Sequence, residues 1–351
     1  RVKKYWGHDG CCFTEHTETF GLPAASTWGF DHLPRLRPDT LEVGVLYNPW
    51  VQYHYTNQLE FSFMILQYAA YTGKSIKEYM GFITSALTFF FEHYKYRQMK
   101  REGRPYDLDN KLVIYPSTAC ETFKNIKNPT DISAALIASI NALLKLPDTD
   151  LSISQKERWK ERLSRVPDMT YGTVKGKKVL LPSVNLPQNI NTDIPELYPV
   201  FPYGLLGVGK PGLEIAINTW YSDFLNNRKN YISWHQDAIF CPRMGLTEEA
   251  MEITQKKLCD APRRFPAFWG PGHDYVPDRN WGGSGMIGLQ EMLLQTDSND
   301  QAVVLPAWPS DYDVSFKLHI SHNRVVEVDY KNGKIVKERV SSYYLIQSSV
   351  V

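Results

Sequence analysis

The sequence has few cysteines, no long apolar run and no excess of either charge, and each shortage narrows what the chain does. Cys11, Cys12, Cys120, Cys241 and Cys259 are too few and too scattered for a disulfide framework. None lies in a CxxC pair or a Cys/His cluster with zinc-ligand spacing, so no metal and no cofactor is expected. No apolar run approaches the roughly 18 residues a membrane span requires. The formal net charge is +1, which gives no reason to expect nucleic acid or an anionic membrane as a partner. The first residues, Arg-Val-Lys-Lys-Tyr-Trp, include neither Met nor a signal-like apolar stretch and read as a processed or truncated start.

What is plentiful is aromatic. The 351 residues include 9 Trp, 21 Tyr and 16 Phe, enough either for a large core or for sugar platforms. Flat apolar rings stack on the C–H faces of sugars, while their polar tips hydrogen-bond hydroxyls.

Helical periodicity runs over 58–71, 75–94, 154–165, 213–226, 247–259 and 287–295. Asn128-Pro129-Thr130-Asp131 opens a further helix that reaches Leu144. The 156–165 charge run reads as a solvated helix face. A hairpin is predicted over Thr173–Leu181, turning at Gly176. From Pro309 onward, alternation replaces the helical period. Strands are expected over 314–319, 325–328 and 335–340, with Asn332-Gly333 as a hairpin turn. Helix pairs separated by long loops, such as 94–128 and 166–211, favour a toroid over a bundle, whose connections usually run about 2–8 residues. The predicted fold is mainly α: an α/α toroid over 1–310, followed by a small β-sandwich-like domain over 311–351.

Four segments carry side chains suited to chemistry. Glu121 lies in the loop Tyr115-Pro-Ser-Thr-Ala-Cys-Glu121-Thr-Phe, where aromatic and thiol neighbours would desolvate a carboxyl as a general acid requires. The 266–285 segment carries Trp269, His273, Asp274, Asp278, Asn280 and Trp281 among glycines and prolines. It suits a sugar subsite with an acidic group, or a polar loop bracing the scaffold. Its glycines would let backbone approach a ligand before the next helix begins. Trp234-His235-Gln236-Asp237 presents consecutive hydrogen-bonding groups, costly to bury unless partnered by substrate or by a core network. His54, Asn57 and Glu60 lie on a polar, aromatic run entering an apolar helix.

The stretch Asp278-Arg-Asn-Trp-Gly-Gly, continuing to Gly288-Leu-Gln-Glu-Met-Leu-Leu-Gln295 and Leu305-Pro-Ala-Trp-Pro309, resembles the end of the catalytic domain in glycoside hydrolase family 95. The Tyr115–Glu121 segment is similar to that family's Pro-Ser-x-Ser-Pro-Glu-Asn loop. The resemblance spans roughly residues 45–310 and is closer still to uncharacterised bacterial relatives of the family. It implies a six-hairpin α/α toroid, usually preceded by a β-sandwich that is expected to be absent here. The activity it implies is exo-acting, inverting release of a terminal α-L-fucose or α-L-galactose from a complex glycan. It also implies Glu121 as general acid, Asp278 in the base machinery, an oligosaccharide or polysaccharide substrate, and a bacterial periplasmic or extracellular location. One departure stands out: His54 and Thr56 occupy the positions of the family's paired asparagines, and His54 or Glu60 is the available substitute. A non-catalytic glycan-binding protein is the main alternative. A polysaccharide lyase using His54, His273, Tyr275 and Arg279 is another.

Overall fold

Helices form where the apolar period is 3.6 and stop where glycine or proline interrupts it. The computed structural model describes residues 2–13, 39–45, 47, 50–222, 224, 228–259 and 279–342. The described helices are α1 (Val2–Trp6), α2 (Asn57–Thr72), α3 (Met80–Glu102), α4 (Thr130–Leu144), α5 (Ile153–Ser164), α6 (Leu213–Trp220), α7 (Asp237–Arg243), α8 (Thr247–Leu258) and α9 (Arg279–Leu293). The strands are β1 (Ser117–Ala119), β2 (Phe123–Ile126), β3 (Tyr171–Val174), β4 (Lys177–Leu180), β5 (Leu294–Thr296), β6 (Ala302–Val304), β7 (Val314–Ile320), β8 (Arg324–Lys331) and β9 (Lys334–Ser342).

The expectation of a mainly α, six-hairpin toroid is overturned. The described residues are 41% helical, with several small antiparallel sheets, and show no sign of a toroid. A toroid needs long helices paired repeatedly around a ring. Here α6 has 8 residues and α7 has 7, and hairpins β1–β2 and β3–β4 occupy the long connections around α4 and α5. The class is mixed α and β.

The chain divides into two compact units. One comprises residues 1–69 and 75–199, the other residues 70–74 and 200–351. In the first, the core is built on α3 and α4. Helix α4 buries Ile132, Ala134, Ala135, Leu136, Ile140 and Leu143, which covers nearly its whole circumference. Helix α3 contributes the buried rings of Phe89, Phe90, Phe91 and Tyr94. Trp6 and Tyr55 pack around His93, the Trp6 ring centroid lying 4.5 Å from it. Much of the aromatic wealth is therefore core. Burial, with the Arg97 charge beside it, holds His93 well below its ordinary pKa, so the imidazole is neutral.

In the second unit α7 packs on both α8 and α9. A Cβ added to Gly288 of α9 would stand 2.4 Å from the Ala238 carbonyl oxygen of α7, so only glycine permits this approach. The glycines of the 282–288 stretch lie inside α9, which begins at Arg279 rather than near Ile287. Strands β7, β8 and β9 form one antiparallel sheet in that order. Its inner face, from Phe316, Leu318, Ile320, Val326 and Val328, packs on Leu294, Ala302 and Val304 of the β5–β6 ribbon. The β8–β9 turn falls at Asn332-Gly333, both with positive φ (50° and 76°), the conformation a two-residue hairpin requires.

Candidate functional site

The first site is assembled by the start of α2, the β1–β2 turn and the start of α4, all in the first unit. The Thr56 carbonyl accepts the amides of Leu59 and Glu60, at 2.8 and 3.1 Å, and so opens α2. This sets Asn57 and Glu60, both half-buried, on its first turn. His54 is buried, and its Nε2 hydrogen-bonds the Thr56 hydroxyl at 2.7 Å. The Thr118 hydroxyl of β1 donates to the Gln52 carbonyl, tying the hairpin to this entry segment.

At the hairpin tip the chain turns through Cys120 (φ 43°) and Glu121 (φ 57°), two successive non-glycine residues in the left-handed region. The turn is braced from both sides. Thr122 N donates to Ala119 O at 2.8 Å, and the Thr122 hydroxyl reaches the carbonyls of Cys120 and Asp193. Ile190 N donates to the Thr122 carbonyl at 2.9 Å. Glu121 is half-buried, and the Asn191 side-chain amide donates to its Oε2 at 3.2 Å.

Beneath the turn lies a buried acid. The Cys120 thiol donates to Asp131 Oδ2 at 3.4 Å, and Asp131 is 1% exposed in the first turn of α4. Burial pushes the Asp131 carboxyl up to about 6, against the opposing influence of nearby His54 and of backbone amides. Burial and the Asp131 charge hold the Cys120 thiol well above its ordinary value, so it is a proton donor and not a nucleophile. Tyr198 hydrogen-bonds Cys120, and its phenol is likewise pushed far up by burial. Asp193 and Glu60 act electrostatically on both groups.

The structure thus brings His54, Asn57, Glu60 and Glu121 into one unit and, through Asp131 and Cys120, links two of the sequence segments. Asp131 was read from the sequence only as part of a helix start. Its burial depends on the β1–β2 turn above it, which sequence does not show. Asn191 and Tyr198 come from the long 166–211 connection, whose length was the only signal.

The second group lies in the other unit. Trp234 stacks on His235, with centroids 5.9 Å apart and planes at 12°. His235 Nδ1 is 3.8 Å from Asp237 Oδ2, with both side chains buried. Asn230 N donates to Asp237 Oδ1 at 2.8 Å. Burial pushes this carboxyl up to about 7, despite that hydrogen bond and the charges of Lys257 and Lys229. Fully buried Lys257 donates to the Ser233 carbonyl at 3.0 Å. The Trp281 indole N–H donates to the Lys257 carbonyl at 2.7 Å, and the ring meets Tyr231 edge-on. At 4% exposure Trp281 is a core residue, whereas its neighbour Asn280 is exposed. Asp278, Trp269 and His273 lie outside the described residues, as do Asp274 and Tyr275.

Among the described residues, no group of three or more His, Cys, Asp or Glu is placed to hold a metal ion. No described helix is long and apolar enough to cross a membrane. The chain matches no protein-family model and no curated protein.

Proposed function

We propose that the chain acts on glycans, and that Glu121 is the proton donor for hydrolysis of a terminal glycosidic bond. The observation that carries this reading is the left-handed pair Cys120–Glu121. Two such residues in succession cost free energy, and strain of this kind gathers where a side chain must be aimed. The side chain aimed is a half-buried carboxyl, with an amide donor on one oxygen and a rigid hairpin behind it.

In an inverting reaction Glu121 gives its proton to the glycosidic oxygen as the sugar–oxygen bond breaks. A second carboxylate takes a proton from the water that attacks the opposite face. The two carboxyls need about 6.5–9.5 Å between them to admit that water. Asp278 is the second carboxylate by family resemblance, and His54 or Glu60 is the available substitute for the paired asparagines of that base machinery. A terminal α-L-fucose or α-L-galactose as the sugar also rests on that resemblance. The test is hydrolysis of a panel of fucosides, galactosides and complex glycans by wild type and by Glu121→Gln. Removing a general acid should lower the rate roughly 10²–10⁴-fold, with unchanged far-ultraviolet circular dichroism. A folded variant hydrolysing at the wild-type rate overturns the assignment.

One observation favours a second reading, glycan binding without turnover. His54 and Thr56 stand where the family keeps paired asparagines, and they hydrogen-bond each other in a buried setting. That reading expects saturable glycan binding with no product formed by wild type.

A further inference from the structure

We propose a second ligand site in the first unit, a cleft between α3 and α5 that takes an acidic sugar chain. The cleft encloses about 470 Å³, within the range of small-molecule sites. Its α3 wall presents Thr84, Thr88, Phe91, Glu92 and Lys95, a single helical face. The α5 wall includes Trp159 and the i,i+4 pair Arg158 and Arg162, from the charged run that the sequence presented as a solvated face.

The charges do not balance. Glu92 is shared between Lys95 at 3.0 Å and Arg162 at 3.6 Å, and Glu161 is engaged by Arg165 at 3.0 Å. Arg158 is exposed on the rim. It donates through Nε to Ser154 O at 3.4 Å and has no carboxylate partner among the described residues. Two carboxylates therefore face three cations in the lining, and one of the two, Glu161, is already engaged by Arg165 outside it. Arg162 is held in place: its guanidinium lies 4.7 Å from the Trp159 ring centre and 5.4 Å from that of Phe91, and donates to the Thr88 hydroxyl at 2.8 Å. A fixed guanidinium beside a second one is a ready partner for a carboxylate or sulfate. Burial lowers the proton affinity of Arg162, and the Arg158 charge lowers it further. An anion seated between them offsets the second effect.

Sugar hydroxyls suit the remaining surface. The Thr88 hydroxyl, while accepting from Arg162, has its own proton to give, and Gln155 offers an amide. Thr84 and Thr88 also border a neighbouring hollow of about 590 Å³, bounded by Lys3, Asp9, Gly10 and Ser85. Length along that shared edge favours a chain of sugars over a single ring. The site uses none of the residues near Glu121 and goes beyond the hydrolase reading.

Isothermal titration of wild type, Arg158→Gln, Lys95→Gln and Glu121→Gln tests it, with a galacturonic acid trimer, a heparin tetrasaccharide and neutral maltotriose as probes. One or both acidic probes should bind wild type and Glu121→Gln alike. Binding should weaken at least five-fold in Arg158→Gln and in Lys95→Gln, and maltotriose should not bind. The galacturonate arm reports a carboxylate ligand and the heparin arm a sulfated one. The proposal is overturned if neither acidic probe binds, if maltotriose binds equally well, or if both cation variants bind like wild type. Loss of binding in Glu121→Gln alone would also overturn it, since the ligand would then lie near the first site. Loss of hydrolysis in Glu121→Gln with unchanged acidic-sugar binding separates the two readings.

Discussion

Asp237 and Asp131 are buried carboxyls with raised proton affinity, and that fixes how each affects folding. Between about pH 4 and 7 the folded chain keeps a proton on Asp237 that the unfolded chain has already lost. Stability from this group is complete below its ordinary pKa of 3.8 and is lost as pH rises towards 7. Asp131 acts with the same sign over a narrower window ending near 6. Asp237→Asn keeps an oxygen for the Asn230 amide and removes the titration. It should stabilise the protein by roughly 1–3 kcal/mol at pH 8 and by nothing at pH 4; urea melts at the two values decide. At Trp281 the indole N–H serves the Lys257 carbonyl inside the core. Trp281→Phe should therefore cost about 1 kcal/mol of stability and leave glycan binding unchanged, which titration calorimetry reads directly.

At the level of elements, the long helices and the strong turns were legible, and the short pieces were not. Helix α4 begins at its Asn-Pro-Thr-Asp start and ends at Leu144, as expected. The β3–β4 hairpin turns at Lys175–Gly176, with both residues at positive φ, within one residue of expectation. Strands β1, β2, β5 and β6 have 3 or 4 residues each, too short for an alternation to register. Helix α7 escaped because Pro242 lies inside it and polar residues surround its start. The glycine-rich stretch before Ile287 was misread for a physical reason: glycine serves a ligand and a close helix crossing equally well. Gly285 faces Leu258 of α8, 2.9 Å from an added Cβ, and Gly288 faces the α7 backbone. Gly288→Ala should thus destabilise by about 1–3 kcal/mol, seen as a lower thermal midpoint. Gly283→Ala, where an added Cβ meets nothing, should be near neutral.

For the whole molecule, the decisive quantity is the balance of helix and strand. Far-ultraviolet circular dichroism should report a helix content well short of a molecule built of helical hairpins alone, in keeping with the 41% helix of the described residues. The two units divide the candidate residues. Glu121 and the His54–Glu60 segment belong to the first, and Trp234, His235, Asp237 and Trp281 to the second. The toroid expectation came from family resemblance and from loop length, neither of which fixes which helices pair.

The sequence by itself determined the strongest helices, the two Gly-containing hairpin turns and the segments rich in polar and aromatic side chains, because periodicity and turn chemistry are local. Only the tertiary structure decided which aromatics are core, since burial depends on partners distant along the chain. It also set the Asp131 carboxyl under the Cys120–Glu121 turn, 11 residues away in sequence. The pairing of α3 with α5 across a cationic cleft is likewise a tertiary fact, because it joins faces about 70 residues apart.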